Sequence, residues 1–229
     1  MRTVLAVVAL ALAVLAAPLV FKPGGPGGIA TTETPPWEIV TTDEGHSRVF
    51  GLTLGESTLG DAMQALGQDI EIAIITAPGE RGALEAYYGS IISGPVTGKL
   101  VLTAQIDEAT LEAMIARATK TEFMESTTRK SALHPDDLAR ALTMKVRAVG
   151  FIPSINLDEQ TIVTRFGEPA ERVRGSDGVE HLLYPAKGLD IILSTTGKEL
   201  MQYVAPVNFE TLRAPLDAAA SAPPVAPGS

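Results

Sequence analysis

The sequence predicts an α+β protein: an N-terminal transmembrane helix followed by two helix-plus-antiparallel-sheet units joined by a helical segment. Three observations carry that expectation. An uncharged apolar run extends from Thr3 to Phe21. Two later windows repeat one capped-helix pattern 100 positions apart. Each window is followed by short β-rich runs punctuated by turn residues.

The leader "MRTVLAVVALALAVLAAPLVFK" comes first. At about 1.5 Å per residue its apolar run reaches nearly 30 Å, the thickness of a bilayer's hydrocarbon core. Residues 1–22 therefore read as a signal anchor. Arg2 and the amino terminus outweigh Lys22, so the N-terminus is expected in the cytoplasm and the remaining chain in the periplasm, crossing a bacterial inner membrane once. Cleavage at "LAAP", releasing the chain into the periplasm, is the alternative, although Pro18 follows the cut unfavourably. A lipoprotein signal requires a cysteine, and the chain has none. Residues 23–47, rich in Gly and Pro, read as a flexible linker, and residues 214–229 as a disordered tail.

Bulk properties exclude several classes. With 229 residues there is enough chain to bury a core unaided. Without cysteine there is no disulfide scaffold, iron–sulfur cluster, thiolate zinc site or cysteine nucleophile. A net charge of −9 argues against nucleic acid as a partner. At 5% aromatic residues, no base- or sugar-stacking platform is indicated.

The two windows open the two expected units, residues 48–106 and 151–213. In "STLGDAMQALG" Thr58 caps a helix with Asp61 completing a capping-box-like pair, Ala62, Met63 and Leu66 form the apolar stripe, and Gly67 ends it. In "LDEQTIVTRFG" Asp158 caps, Ile162, Val163 and Phe166 form the stripe, and Gly167 ends it. The first helix is followed by "IEIAII", "ALEAYYGSII" and "KLVLTAQI"; the second by "AERVR", "VEHLLY", "LDIILS" and "ELMQYV". Turn residues separate the runs, as in an antiparallel meander. Between the units, residues 107–150 read as a helical connection. Asp107 caps one helix, Pro135 with Asp136 and Asp137 starts a second, and Gly150 closes it.

The corner "FGEP" and the run "YPAKGLDIILSTTGKELMQYV" together resemble the small outer-membrane assembly lipoprotein family (SmpA/OmlA). Phe166, Gly167, Pro169, Tyr184, Gly188, Gly197 and Lys198 carry the likeness. The doubled pattern also resembles the β-lactamase inhibitor proteins, which hold such units in tandem. The first window departs from the signature at Gln68 and Asp69, and the lipobox cysteine is missing. The resemblance implies a small two-layer fold that binds other proteins.

No motif carries chemistry, so no catalytic residue, cofactor or metal site is expected. His46, His134 and His181 are far apart, each without a second ligand at metal spacing. "GESTLG" lacks the Gly-x-Ser-x-Gly spacing of a nucleophile elbow. "SGPVTGKL" is one residue short of a phosphate loop. Two surfaces stand out instead. Arg129, Lys130, Arg140 and Lys145 gather positive charge in the central segment, a face for an acidic partner or anionic lipid, or otherwise a solvated helix surface. By strand alternation Tyr87 and Tyr88 point to opposite faces, one into the core and one outward, as a partner anchor or equally as a cross-strand packing residue. The expectation is a membrane-anchored periplasmic binding or scaffold module that engages an envelope protein. A periplasmic enzyme inhibitor or regulator, a lipid-handling carrier and a hydrolase are the alternatives.

Overall fold

The computed structural model describes residues 29–124, 127–175, 178–194 and 197–221. The apolar run expected to cross a membrane lies outside these residues. Among the described residues no helix is long and apolar enough to do so, and the predicted fold class is corrected accordingly.

Helix α1 (Leu59–Leu66) begins at Thr58, whose hydroxyl accepts from the Asp61 amide at 3.1 Å while the Asp61 carboxylate accepts from the Thr58 amide at 2.8 Å. That reciprocal pair satisfies two of the donors a helix start leaves open. Helix α2 (Glu108–Ala116) is capped by Asp107, α3 (Pro135–Leu142) by His134 and α4 (Glu159–Phe166) by Asp158. All four lay apolar residues on one core, among them Leu59, Leu66, Met114, Ala141, Ile162 and Phe166.

Beneath them runs a single sheet rather than two. Its strands are β5 (Glu71–Thr76), β6 (Ala83–Ser93), β7 (Val96–Ala104), β8 (Lys120–Phe123), β9 (Arg129–Ala132), β10 (Val146–Pro153), β11 (Glu171–Arg174), β12 (Val179–Tyr184), β13 (Leu189–Ser194) and β14 (Leu200–Val204). They lie in the order β11-β12-β13-β14-β10-β7-β6-β5-β9-β8, every neighbouring pair antiparallel. Strand β1 (Ala30–Thr32) adds in parallel to the far end of β6. Strands β2 (Val40–Thr41), β3 (Ser47–Val49) and β4 (Leu52–Thr53) make a separate small sheet.

The register relates the two halves residue by residue. In one half Tyr88 pairs with Leu100, and Leu100 with Phe151. In the other Tyr184 pairs with Leu189, and Leu189 with Tyr203. At the outer strands Glu71 pairs with Tyr87 and Glu171 with Leu183, which keeps the same correspondence. Strand β10 is thus the fourth strand of the first half, delayed by the excursion through α2, β8, β9 and α3. The halves meet where β10 and β14 pair, Gly150 opposite Gln202. On the helix side of that junction Phe50 is fully buried, its ring 5.3 Å from Phe151 and 5.5 Å from Tyr203. The two halves share one sheet and one main core, so the expected separate units are corrected to a continuous layer.

Three other expectations change. The segment 107–150 is not a helical connection, because it contains β8, β9 and half of β10, and Gly150 sits inside a strand. "VRAVGF" is apolar and β-branched enough to complete the sheet between β7 and β14, and that pairing overrides any helical continuation. The linker expected over 23–47 is structured from residue 29 onward. Trp37 packs edge-on against Phe166 at 6.5 Å and under the Arg165 guanidinium at 4.7 Å. The tail expected from residue 214 is helical as far as Ser221. Helix α5 (Glu210–Ser221) lies on the sheet face opposite the other helices, bringing Phe209 and Leu212 onto Ala148, Leu183 and Val204.

Candidate functional site

Strand alternation sorts the sheet's side chains onto two faces. Leu84, Ala86 and Tyr88 point to the helices, so Glu85 and Tyr87 point away. By the same rule Asp190, Gln202, His181 and Gly150 lie on the face away from α1 to α4. That face carries most of the unusual polar groups.

Glu85 is wholly buried and neither carboxylate oxygen finds a hydrogen-bond partner among the described residues. Thr103, directly opposite it on β7, has an equally unpartnered hydroxyl. Burial pushes the Glu85 carboxyl up to about 8, against the pull of the Arg147 charge and with a smaller push from Glu80. Glu85 is therefore a neutral acid at pH 7.

Five strands away, on β12, His181 Nδ1 lies 2.8 Å from Asp190 Oδ2 on β13. The two side chains keep 12% and 2% of their surface. Burial raises the Asp190 carboxyl, and the His181 hydrogen bond and charge oppose the rise. An imidazole held at Nδ1 presents Nε2 as its remaining polar atom, the arrangement of an oriented base or hydrogen-bonding group. Asp190 Oδ1 and the Gln202 amide nitrogen, on residues directly opposite each other, have no partner among the described residues. Of these groups the sequence alone marks only His181, and as an isolated histidine. A signal did exist: Glu85, Asp190 and Gln202 are each a single polar residue inside an apolar strand, in "ALEAYY", "LDIIL" and "LMQYV".

The residues proposed as a partner surface do not converge. Tyr87 and Tyr88 point to opposite faces as alternation requires, but both are buried, at 4% and 0% exposure. Neither is a docking anchor. The Tyr88 hydroxyl donates to the carbonyls of Ala62 at 3.2 Å and Gly67 at 3.1 Å, which makes it a fastening for the end of α1. Lys130 pairs with Glu71, and Arg140 donates to the Thr110 hydroxyl at 3.1 Å. Lys145 bridges to Thr58 beside the start of α1. Arg129 and Lys130, opposite Phe123 and Glu122, adjoin a feature that suits a partner, the outermost strand β8.

All four residues of β8 are exposed, and Phe123, cross-strand from Arg129, has 76% of its surface in solvent. Among the described residues β8 pairs with β9 alone. The Met124 amide donates to the Thr128 carbonyl at 2.9 Å, so antiparallel alternation turns the amides of Thr121 and Phe123 away from β9 onto the open edge. The opposite edge, β11, is closed by charge: Arg172 pairs with Glu159 and Glu180, and Arg213 with Glu171.

Among the described residues no three His, Asp or Glu side chains converge as a metal ion requires. Comparison with protein-family models, with curated proteins and with solved structures finds no match to this chain.

Proposed function

We propose that this chain is a non-catalytic binding module of the bacterial cell envelope that holds an extended segment of a partner protein along strand β8. The open edge at Thr121 and Phe123 is the observation that carries the reading. An unpaired strand edge is a template for another strand: main-chain hydrogen bonds supply affinity and alternate side chains supply selectivity. Phe123 offers the apolar contact and Arg129 beside it a cation, so the segment that fits is extended, with an apolar residue next to an acidic one. The apolar leader is read as the export signal that brings the module to the periplasm. The likeness to the SmpA/OmlA family suggests the class of partner, a component of envelope assembly.

Photo-crosslinking in cells tests this. A crosslinking residue at position 123 is expected to trap one dominant protein, and one at position 174 on β11 none. Thr121→Pro removes an amide that faces the open edge and leaves the backbone ladder to β9 intact, so it abolishes the adduct while the chain still folds, with a small loss of Tm from the Thr121–Ser131 hydroxyl contact. An adduct that survives Thr121→Pro, or one formed only with a second copy of this chain, overturns the reading.

A further inference from the structure

We propose that His181, Asp190 and Gln202 form a binding site for an amide group, a peptide bond or carboxamide, on the sheet face opposite α1 to α4. Three observations converge on it. Asp190 is 1% exposed and Gln202 is 4% exposed, yet Asp190 Oδ1 and Gln202 Nε2, on residues paired across β13 and β14, each have no hydrogen-bond partner among the described residues. His181 is locked at Nδ1 by the other Asp190 oxygen at 2.8 Å and keeps part of its side-chain surface in solvent. The third observation is the matching strand register of the two halves.

By strand register Asp190 corresponds to Val101, Gln202 to Gly150 and His181 to Glu85. In the first half the places of Asp190 and Gln202 are filled by a valine and by no side chain at all. The same backbone therefore builds its sheet there without polar groups. Burying an amide and a carboxylate with atoms unpaired costs about 1–3 kcal/mol for each unsatisfied group, and the packing does not require it. Groups that are costly and structurally dispensable mark a site.

The chemistry of the pair selects the ligand. Gln202 Nε2 can only donate, and Asp190 Oδ1, on a carboxylate, accepts. A carboxylate ligand would satisfy the first and meet like charge at the second. A guanidinium or ammonium would satisfy the second and leave the Gln202 donor unpaired. An amide presents a carbonyl oxygen and an N–H side by side and satisfies both. His181, beside them, supplies one further polar atom at Nε2 and the most accessible edge of the cluster.

The test is a titration of the full chain in detergent with N-acetylalaninamide, followed by NMR of the Gln202 side-chain amide and the His181 ring. Saturable shifts at both residues are expected, with none from acetate or methylguanidinium at equal concentration. Asp190→Val, which installs the side chain found at the corresponding place, is expected to fold with a lowered Tm, because His181 Nδ1 loses its partner, and to weaken binding at least tenfold. Shifts that are linear in concentration, or equal for all three probes, overturn the proposal, because the pair then holds only ordered water. Unfolding of Asp190→Val also overturns it, since the carboxylate would then be part of the fold. Because the readouts lie on β12 and β14, failure here leaves the crosslinking result at β8 untouched.

Discussion

The Tyr184 hydroxyl donates to the carbonyl oxygen of Gly167 at 3.0 Å, and the corresponding Tyr88 donates to Gly67 at 3.1 Å. Each half of the sheet thus ties the end of its own helix through a tyrosine on its second strand. The Gly67 and Gly167 amides in turn donate to Met63 and Val163, which closes the last turn. Removing one hydroxyl strands a carbonyl. Tyr184→Phe is expected to cost about 1 kcal/mol, and Tyr88→Phe, wholly buried with two acceptors, about 2 kcal/mol. Urea denaturation of the two variants measures both, and the order of the two values is the critical outcome.

Glu85 makes stability fall as pH rises. Its carboxyl ionises near 4.5 in the unfolded chain and near 8 in the folded one. Between those values the folded state binds the extra proton, so the slope of unfolding free energy against pH is negative, at most about 1.4 kcal/mol per pH unit. The loss begins above the unfolded value and is complete once pH passes the folded one. Asp190, also raised, adds a loss of the same sign. Glu85→Gln keeps the shape, removes the titration and should flatten the profile between pH 5 and 8. Chemical denaturation at pH 5, 6.5 and 8 compares the two proteins.

The helix starts were legible because capping is local: Thr58, Asp107 and Asp158 each meet an amide three residues on. The single sheet was not. Alternation says which face a residue takes and nothing about which strand lies alongside, so the junction of Gly150 with Gln202 has no sequence mark. The strands β8 and β9 were hidden for a different reason. "KTEF" and "RKSA" carry little apolar pattern, since β9 wins its place by pairing to the edge of β5 and β8 by pairing to β9. The contact of His181 with Asp190 is diagonal across two strands and becomes visible only with the register in hand.

Gly188 is held by two constraints at once. Its φ of 67° lies in the left-handed region, and a Cβ there would stand 2.0 Å from the Val204 carbonyl oxygen. That oxygen belongs to the β14 residue whose amide donates to the Gly188 carbonyl at 2.8 Å, so the neighbour cannot move without breaking the ladder. Gly188→Ala should cost about 2–4 kcal/mol, combining backbone strain with overpacking. Gly79, with φ of 79° and no atom within 4 Å of the added carbon, meets only the first constraint. Gly79→Ala should cost about 1 kcal/mol. Thermal melts of the pair separate strain from steric exclusion.

Helix α5 allows packing and charge to be weighed against each other on neighbouring residues. Leu212 is 6% exposed and sits in the cluster with Leu183, Val204 and Phe209, where a void cannot easily close against the rigid sheet. Leu212→Ala should cost about 2–3 kcal/mol. Arg213 makes ion pairs with Glu171 and Asp217, but the three side chains keep 30%, 41% and 57% of their surface in solvent. Water and salt screen such pairs, so Arg213→Ala should cost no more than about 1 kcal/mol. Raising salt from 0.05 to ~0.5 M should shrink the Arg213 effect and leave the Leu212 effect unchanged, because only the first is Coulombic. Equal costs at both salts would mean that the Arg213 stem, lying along the sheet, holds α5 by contact rather than by charge.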